Sequence, residues 1–105
     1  FILPTKELEG FGLVTLEALA SGVPVLGTPV GGTKEILNGF APDLFFRNSS
    51  SEAMAEKILE CCTIIRKHSS KWEKLCQRAR IYVEKNYSWE RNINELERIM
   101  KNKNL

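Results

Sequence analysis

Residues 9–39 read EGFGLVTLEALASGVPVLGTPVGGTKEILNG. This stretch contains two glycine-rich turns, each followed by a run with the composition of a helix, and the apolar run Val23–Thr28 lies between them. A continuous apolar run is typical of a strand in a parallel sheet that is covered on both faces. Ligands of such sheets bind beyond the carboxyl ends of the strands. We therefore expect both turns to lie at one ligand-binding edge.

The first turn, Gly10-Phe11-Gly12, opens directly into a predicted helix over Leu13–Ser21. Glycines lack the side chains that would keep ligand atoms away from the main chain. The first amides of a helix have no intrahelical acceptor, and the helix dipole adds partial positive charge at the same end. A loop and helix start of this kind suit a phosphate group.

Two carboxylates flank this turn, because Glu9 and Glu17 are eight positions apart. One interpretation is a nucleotide-sugar site, with the ribose on Glu17, the diphosphate on the amides of residues 13–15 and the hexose near Glu9. The other interpretation is an ordinary strand, turn and helix, since such units commonly contain glycine and short motifs have real false-positive rates. The spacing alone leaves both interpretations open.

The run from Glu9 to Val25, continued from Gly27 to Ile36, resembles the E-x7-E region of retaining GT-B glycosyltransferases, in particular the "glycosyl transferases group 1" family. The resemblance implies transfer of a sugar from a nucleotide-diphosphate sugar to an acceptor with retention of configuration, and the motif requires no metal or other cofactor. It makes Glu9 the catalytic candidate, as a nucleophile, as a stabiliser of an oxocarbenium-like transition state, or as a group that positions the sugar. The donor-binding residues that it implies are Gly10, Phe11, Gly12, Leu13, Val14, Thr15 and Glu17.

The chain also departs from the family pattern. The Arg and Lys that usually clamp the diphosphate, and the acceptor-binding N-terminal GT-B domain, are expected upstream of residue 1. Where many relatives read Asp-Gly and then Gly-Leu-Leu-Val, this chain has Asn38–Phe46. We therefore expect a fragment that is inactive by itself. Two alternatives stay open for the parent protein: a non-catalytic relative that binds a nucleotide sugar or another protein, and a GT-B epimerase.

Composition sets the remaining limits. With 105 residues, of which 43% are hydrophobic, the chain is one domain at most, and its net charge of +2 argues against a nucleic-acid module. It contains no apolar run of the ~18 residues that a membrane span requires. Cys61, Cys62 and Cys76 form an odd set without metal-type spacing, so we expect free thiols in a reducing cytoplasm. The expected location is cytoplasmic, with peripheral membrane association of the full-length parent left open.

The predicted fold class is α/β, as the C-terminal part of a nucleotide-sugar-binding domain. Residues 1–48 are expected to form a partial Rossmann-like parallel sheet of about three strands with flanking helices, and residues 49–105 a helical segment. The strands are predicted at Phe1–Leu3, which we expect to be buried, at Val23–Thr28 and at Leu44–Arg47. A helix is predicted over Thr33–Leu37, capped by Thr33 and closed by Asn38-Gly39.

The second half shows three apolar stripes at helical spacing. They are Ala55, Ile58, Leu59, Cys62 and Ile65; then Trp72, Leu75, Cys76, Ala79, Tyr82 and Val83; then Trp89, Ile93, Leu96 and Met100. Capping boxes are predicted at Ser49 with Glu52 and at Ser70 with Glu73, and Ser88 is predicted to cap the last helix.

Core packing is the predicted role of Trp72 and Trp89, rather than stacking on a sugar, and His68 is expected to be solvated or capping. In the resembling family the last helix reaches across to the N-terminal domain. The face of Trp89, Ile93, Leu96 and Met100 is therefore expected to be partly uncovered here and prone to self-association.

Overall fold

The computed structural model describes residues 1–5 and 10–103, and it is mostly helical. In chain order the elements are strand β1 (Ile2–Leu3), helix α1 (Leu13–Ala20), strand β2 (Leu26–Gly27), helix α2 (Gly31–Phe40), a 3₁₀ turn (Pro42–Leu44) and helices α3 (Ser51–Lys67), α4 (Ser69–Asn86) and α5 (Trp89–Asn102). None of the helices in the described part of the chain is long and apolar enough to cross a membrane.

The sheet has two parallel strands in the described residues, with Ile2 opposite Leu26 and Leu3 opposite Gly27. The third strand predicted at Leu44–Arg47 is reduced to a single contact with the sheet. A single parallel bridge joins Gly27 to Phe45, and the Phe46 N–H donates to the Gly27 carbonyl over 2.9 Å. Pro42 begins a 3₁₀ turn immediately before this point, and a proline has a fixed φ and no N–H to donate to a sheet.

The first strand is less covered than predicted. Phe1 and Ile2 keep 49% and 46% of their surface exposed, so the expected buried strand lies at an open edge. Within the run predicted at Val23–Thr28, residues 25–28 are buried as predicted, whereas Val23 is 41% exposed, and only Leu26–Gly27 pairs as a strand.

A small core lies between the sheet and helices α1, α2 and α4. The largest fully buried side chains there are Leu19, Val25, Ile36, Leu37 and Phe46. Burial of each large apolar side chain contributes about 1.5–3 kcal/mol to folding.

Tyr82 fastens α4 onto α2. Its hydroxyl donates to the Ile36 carbonyl over 2.9 Å, and its ring lies 5.2 Å from that of Phe40. Gly39 makes this contact possible, because a Cβ at that position would overlap the Tyr82 hydroxyl. Burial raises the pKa of the Tyr82 hydroxyl above its ordinary value.

Helix α1 ends at Ala20, one residue before the predicted end, with Ser21 as its C-cap and Gly22 following at φ 76°, in the predicted stop position. Helix α2 is longer than predicted, running from Gly31 to Phe40. Thr33 therefore lies inside its first turn instead of capping it. Asn38 and Gly39 continue the helix instead of closing it.

The caps of the later helices differ in part from the predictions. The Ser50 side chain, not Ser49, caps α3 by accepting the Ala53 N–H over 3.1 Å. Helix α4 follows His68 directly and has no side-chain cap, so the box predicted at Ser70 is wrong. Ser88 caps α5 as predicted, accepting the Arg91 N–H over 3.1 Å.

The predicted stripe on α4 is confirmed, with Ala79 fully buried and Trp72 half-buried against the core. The stripe predicted on α3 is rotated, because Ala53 and Cys61 are buried whereas Leu59 is 67% exposed. Trp89 is 82% exposed, so its predicted place in a core is wrong.

Helix α5 buries none of its residues. Its apolar face is therefore open in this chain, as expected from the sequence. We call this the α5 face; its members are Trp89, Ile93, Leu96 and Met100.

Candidate functional site

The two glycine turns meet in the structure. The Gly32 N–H, in the first turn of α2, donates to the Gly10 carbonyl over 3.0 Å. A Cβ on Gly32 would overlap the Phe11 backbone, so the two turns approach each other without room for a side chain. Because one turn follows β1 and the other follows β2 of a parallel sheet, both lie at the carboxyl edge of the strands.

Gly12 shapes the start of α1. Its φ of 76° lies in the left-handed region that favours glycine, and a Cβ there would be 2.9 Å from the Ile36 side chain. The first helical bond runs from the Leu16 N–H to the Gly12 carbonyl over 3.0 Å. The amides of Leu13, Val14 and Thr15 therefore have no acceptor within the helix.

A buried hydroxyl pair joins the first turns of α1 and α2. The side-chain oxygens of Thr15 and Thr33 lie 2.6 Å apart and are 0% and 1% exposed. The side chain of Thr15 is thus engaged inside the protein. Sequence reasoning missed this pair, because its members are 18 residues apart and neither shows a local signal of the contact.

Most of the predicted donor-binding positions are open to solvent. Phe11 is 87% exposed, Leu13 is 62% exposed, and Gly10 and Glu17 are exposed as well. Leu13 and Glu17 are four residues apart on α1, so they lie on the same face of the helix. The catalytic candidate Glu9 lies outside the described residues.

The arrangement can bind an anion. The exposed residues Gly10 and Phe11 lead through the buried Gly12 to the helix start, where Leu13 and Val14 are exposed, Thr15 is buried, and the exposed Glu17 follows one helical turn after Leu13. Amides at a helix start can bind a phosphate, and a carboxylate can accept hydrogen bonds from a neighbouring diol.

The model of the family "Glycosyl transferases group 1" matches residues 1–74, which include both strands, both glycine turns and Glu17. The chain belongs to this family.

Relatives agree with this membership. This chain is 38% identical to the sucrose synthase of Melioribacter roseus over 89 residues, which are 85% of the chain and 11% of that protein. It is 56% identical to the N-acetyl-alpha-D-glucosaminyl L-malate synthase of Bacillus anthracis over 36 residues, 34% of this chain and 9% of that protein. It is 51% identical to the lipopolysaccharide core biosynthesis mannosyltransferase LpsB of Rhizobium meliloti over 39 residues, 37% of this chain and 11% of that protein.

The chain therefore spans about a tenth of the length of the curated relatives it matches. No solved structure matches it at a significant level.

Proposed function

We propose that the chain is part of the donor-binding domain of a glycosyltransferase, which moves a sugar from a nucleotide-diphosphate sugar to an acceptor with retention of configuration. The observation that carries the proposal is the junction of the two glycine turns, where the exposed residues Leu13 and Val14 offer helix-start amides and the exposed Glu17 follows one helical turn later. Family membership supports the reaction class. The relatives named above carry names of different sugars and products, so they support sugar transfer without selecting a donor.

In this proposal the backbone holds the diphosphate. The helix-start amides of the exposed residues Leu13 and Val14 donate to its oxygens, and the absence of a side chain at Gly10 leaves the main chain open to the ligand. Gly12 and Thr15 are buried against α2, so they hold the helix start in place beneath the ligand. The motif needs no metal, because the helix start supplies partial positive charge and the remaining positive charge comes from basic residues elsewhere in the parent protein.

Glu17 is proposed to hold the ribose and Glu9 to act at the sugar. A carboxylate that accepts hydrogen bonds from both ribose hydroxyls would fix the nucleoside relative to the diphosphate. For Glu9, three roles remain in the proposal: attack on the anomeric carbon, stabilisation of an oxocarbenium-like transition state, or positioning of the hexose.

We also propose a second domain in the parent protein. An N-terminal GT-B domain would supply the acceptor site and cover the α5 face, so the 105-residue chain alone is expected to be inactive and to bind donors weakly. With that cover absent, copies of the isolated chain are expected to associate through the same face.

The test is donor binding by the full-length parent protein, after a thermal-shift screen of UDP-, GDP- and ADP-sugars has selected the donor. A hydrogen bond to a charged group contributes about 1.5–3 kcal/mol, so Glu17→Ala is expected to weaken donor binding about ten- to hundredfold in a calorimetric titration. Glu73→Ala is the matched control, because Glu73 is an exposed carboxylate on α4, and it should leave the affinity within about twofold. Unchanged affinity in the Glu17 variant would refute the ribose assignment.

Product analysis separates this function from the two alternatives. A glycosyltransferase forms a new glycoside only when an acceptor is present, an epimerase releases a rearranged free sugar, and a non-catalytic relative binds the donor without consuming it. Retention is read from the anomeric configuration of the glycoside.

A further inference from the structure

A second candidate site lies at the opposite end of α2 from the glycine turns. It is a cavity of about 600 Å³, open to solvent on one side, that is lined by the C-terminus of α2, the 3₁₀ turn, α3 and α4. Helix α2 has ten residues, so it separates the two places by about 15 Å. The volume falls within the range of about 300–1,000 Å³ that is typical of small-molecule sites.

The cavity is apolar inside. Its inner lining includes Phe40, Leu44, Cys61, Ile64, Trp72 and Leu75. Burial raises the pKa of the Cys61 thiol, so this group stays uncharged. Trp72 is half-buried against the core and lines the cavity.

Positive charge lies at the mouth of the cavity. Lys71 and Arg78 line the cavity and also line an adjoining hollow, where they are joined by Lys67 and Lys74. The guanidinium of Arg78 is held 5.6 Å above the ring of Phe40, which restrains it in position. These four cations come from the end of α3 and one side of α4.

Acidic groups balance only part of this charge. Asp43 and Glu60 also line the cavity, but Glu60 is paired with Lys57 over 3.2 Å. Counting both hollows, the side chains that line them include five cations, Lys57, Lys67, Lys71, Lys74 and Arg78, and two carboxylates. An apolar interior with a cationic mouth is complementary to a molecule that has an apolar body and an anionic head.

We propose that this cavity binds a phosphorylated organic molecule whose apolar body enters between α3 and α4 while its phosphate is held by Lys71 and Arg78. The proposal does not depend on the donor site. An aromatic phosphate and a single-chain alkyl phosphate share the required chemistry, and the experiment distinguishes them.

Nuclear magnetic resonance of the 105-residue chain tests the proposal, with 1-naphthyl phosphate and octyl phosphate as probes. Inorganic phosphate and 1-naphthol are the control ligands. The first contains the phosphate head alone and the second the aromatic body alone. The two tryptophans give an internal control, because Trp72 lines the cavity whereas Trp89 lies on the α5 face. At least one of the two probes is expected to shift the Trp72 indole signal without moving that of Trp89, and to bind at least about tenfold more tightly than either separate part.

The charge requirement is tested by substitution. Lys71→Glu is expected to weaken binding of the preferred probe about ten- to hundredfold, because it removes a charged partner of the phosphate. Lys101→Glu makes the same charge change at an exposed position on α5 and should change the affinity less than about twofold. A second variant, Ile64→Phe, keeps every charge but narrows the cavity and should also weaken binding.

Three results would overturn the proposal. The first is that neither probe shifts the Trp72 signal, or that both tryptophan signals move together, as expected for adsorption on apolar surface in general. The second is that inorganic phosphate binds as tightly as the preferred probe, which would show that only the basic surface contributes to binding. The third is equal loss of binding in the Lys71 and Lys101 variants, which would leave only the net charge of the chain as the cause.

Discussion

At the residue scale, the close approach of the two glycine turns determines the geometry of the candidate site. Gly12 and Gly32 each remove a side chain from the same narrow contact, although they belong to different turns. Gly10, two residues before Gly12, has no atom of the described residues within 4 Å of the place where its Cβ would lie. The packing therefore requires glycine at positions 12 and 32, whereas it does not require glycine at position 10.

This difference predicts that Gly32→Ala destabilises the chain, although alanine favours a helix over glycine by about 1 kcal/mol. The added Cβ would overlap the Phe11 backbone, and overpacking typically costs about 1–3 kcal/mol. Urea unfolding of Gly32→Ala and Gly10→Ala side by side measures the effect, and the Gly10 variant should stay within about 0.5 kcal/mol of the parent chain. Equal stabilities of the two variants would contradict the contact.

The hydroxyl pair between Thr15 and Thr33 gives a second prediction. Thr15→Val keeps the shape of the side chain but removes a buried hydrogen bond of 2.6 Å, and is expected to lower the free energy of unfolding by about 1–3 kcal/mol. Thr63→Val is the control, since the Thr63 hydroxyl donates to the Leu59 carbonyl over 3.0 Å on an exposed part of α3. It should change stability by no more than about 0.5 kcal/mol, and a loss as large as that of Thr15→Val would argue against the pair.

At the element scale, the start of α3 has adjacent serines, of which only Ser50 caps the helix. Asn48 Oδ1 accepts the Ser50 N–H over 2.8 Å, which holds the chain in a turn just before the helix. Ser50 then has extended backbone angles and accepts the Ala53 N–H. The pattern of Ser49 with Glu52 is equally good in sequence, but it is one residue out of register.

Ser50→Ala is therefore expected to cost about 1 kcal/mol, the usual effect of losing a helix cap. Ser49→Ala should cost much less, because Ser49 is exposed and does not cap the helix. Chemical denaturation followed by circular dichroism compares the two variants. If the Ser49 variant lost more stability than the Ser50 variant, Ser49 with Glu52 would be the cap of this helix.

At the scale of the whole molecule, the chain is extended. Its radius of gyration is 15.9 Å, against about 13 Å for a compact domain of the same length. Its extents are 53, 32 and 16 Å, and α5 buries none of its residues. Several large apolar side chains on α5 remain exposed as a consequence.

This shape predicts reversible self-association of the isolated chain. Sedimentation velocity over a range of concentrations should show a rising average mass, and Leu96→Glu should suppress it, because it places a charge in the middle of the α5 face. Asn94→Glu adds the same charge on another side of α5 and should leave association unchanged. If the chain stays monomeric at all concentrations, the exposed face does not bind a second copy.

The sequence by itself determined the family, the order of the elements up to α2, the stop at Gly22 after α1 and the stripe on α4. These follow from local patterns: glycine turns, an apolar run, helical spacing and a serine cap at Ser88. The sequence could not determine the extent of the sheet. The residues near Phe45 have the composition of a strand, but they follow the proline turn and pair with the sheet at a single bridge.

Only the tertiary structure decided which residues from distant parts of the chain are in contact. It brought Gly32 against Phe11, paired Thr15 with Thr33 and placed Tyr82 on α2, since such contacts join residues far apart in the chain and leave no local signal. It also left Trp89 uncovered, because an apolar stripe is buried only when another surface in the same chain is there to pack against it.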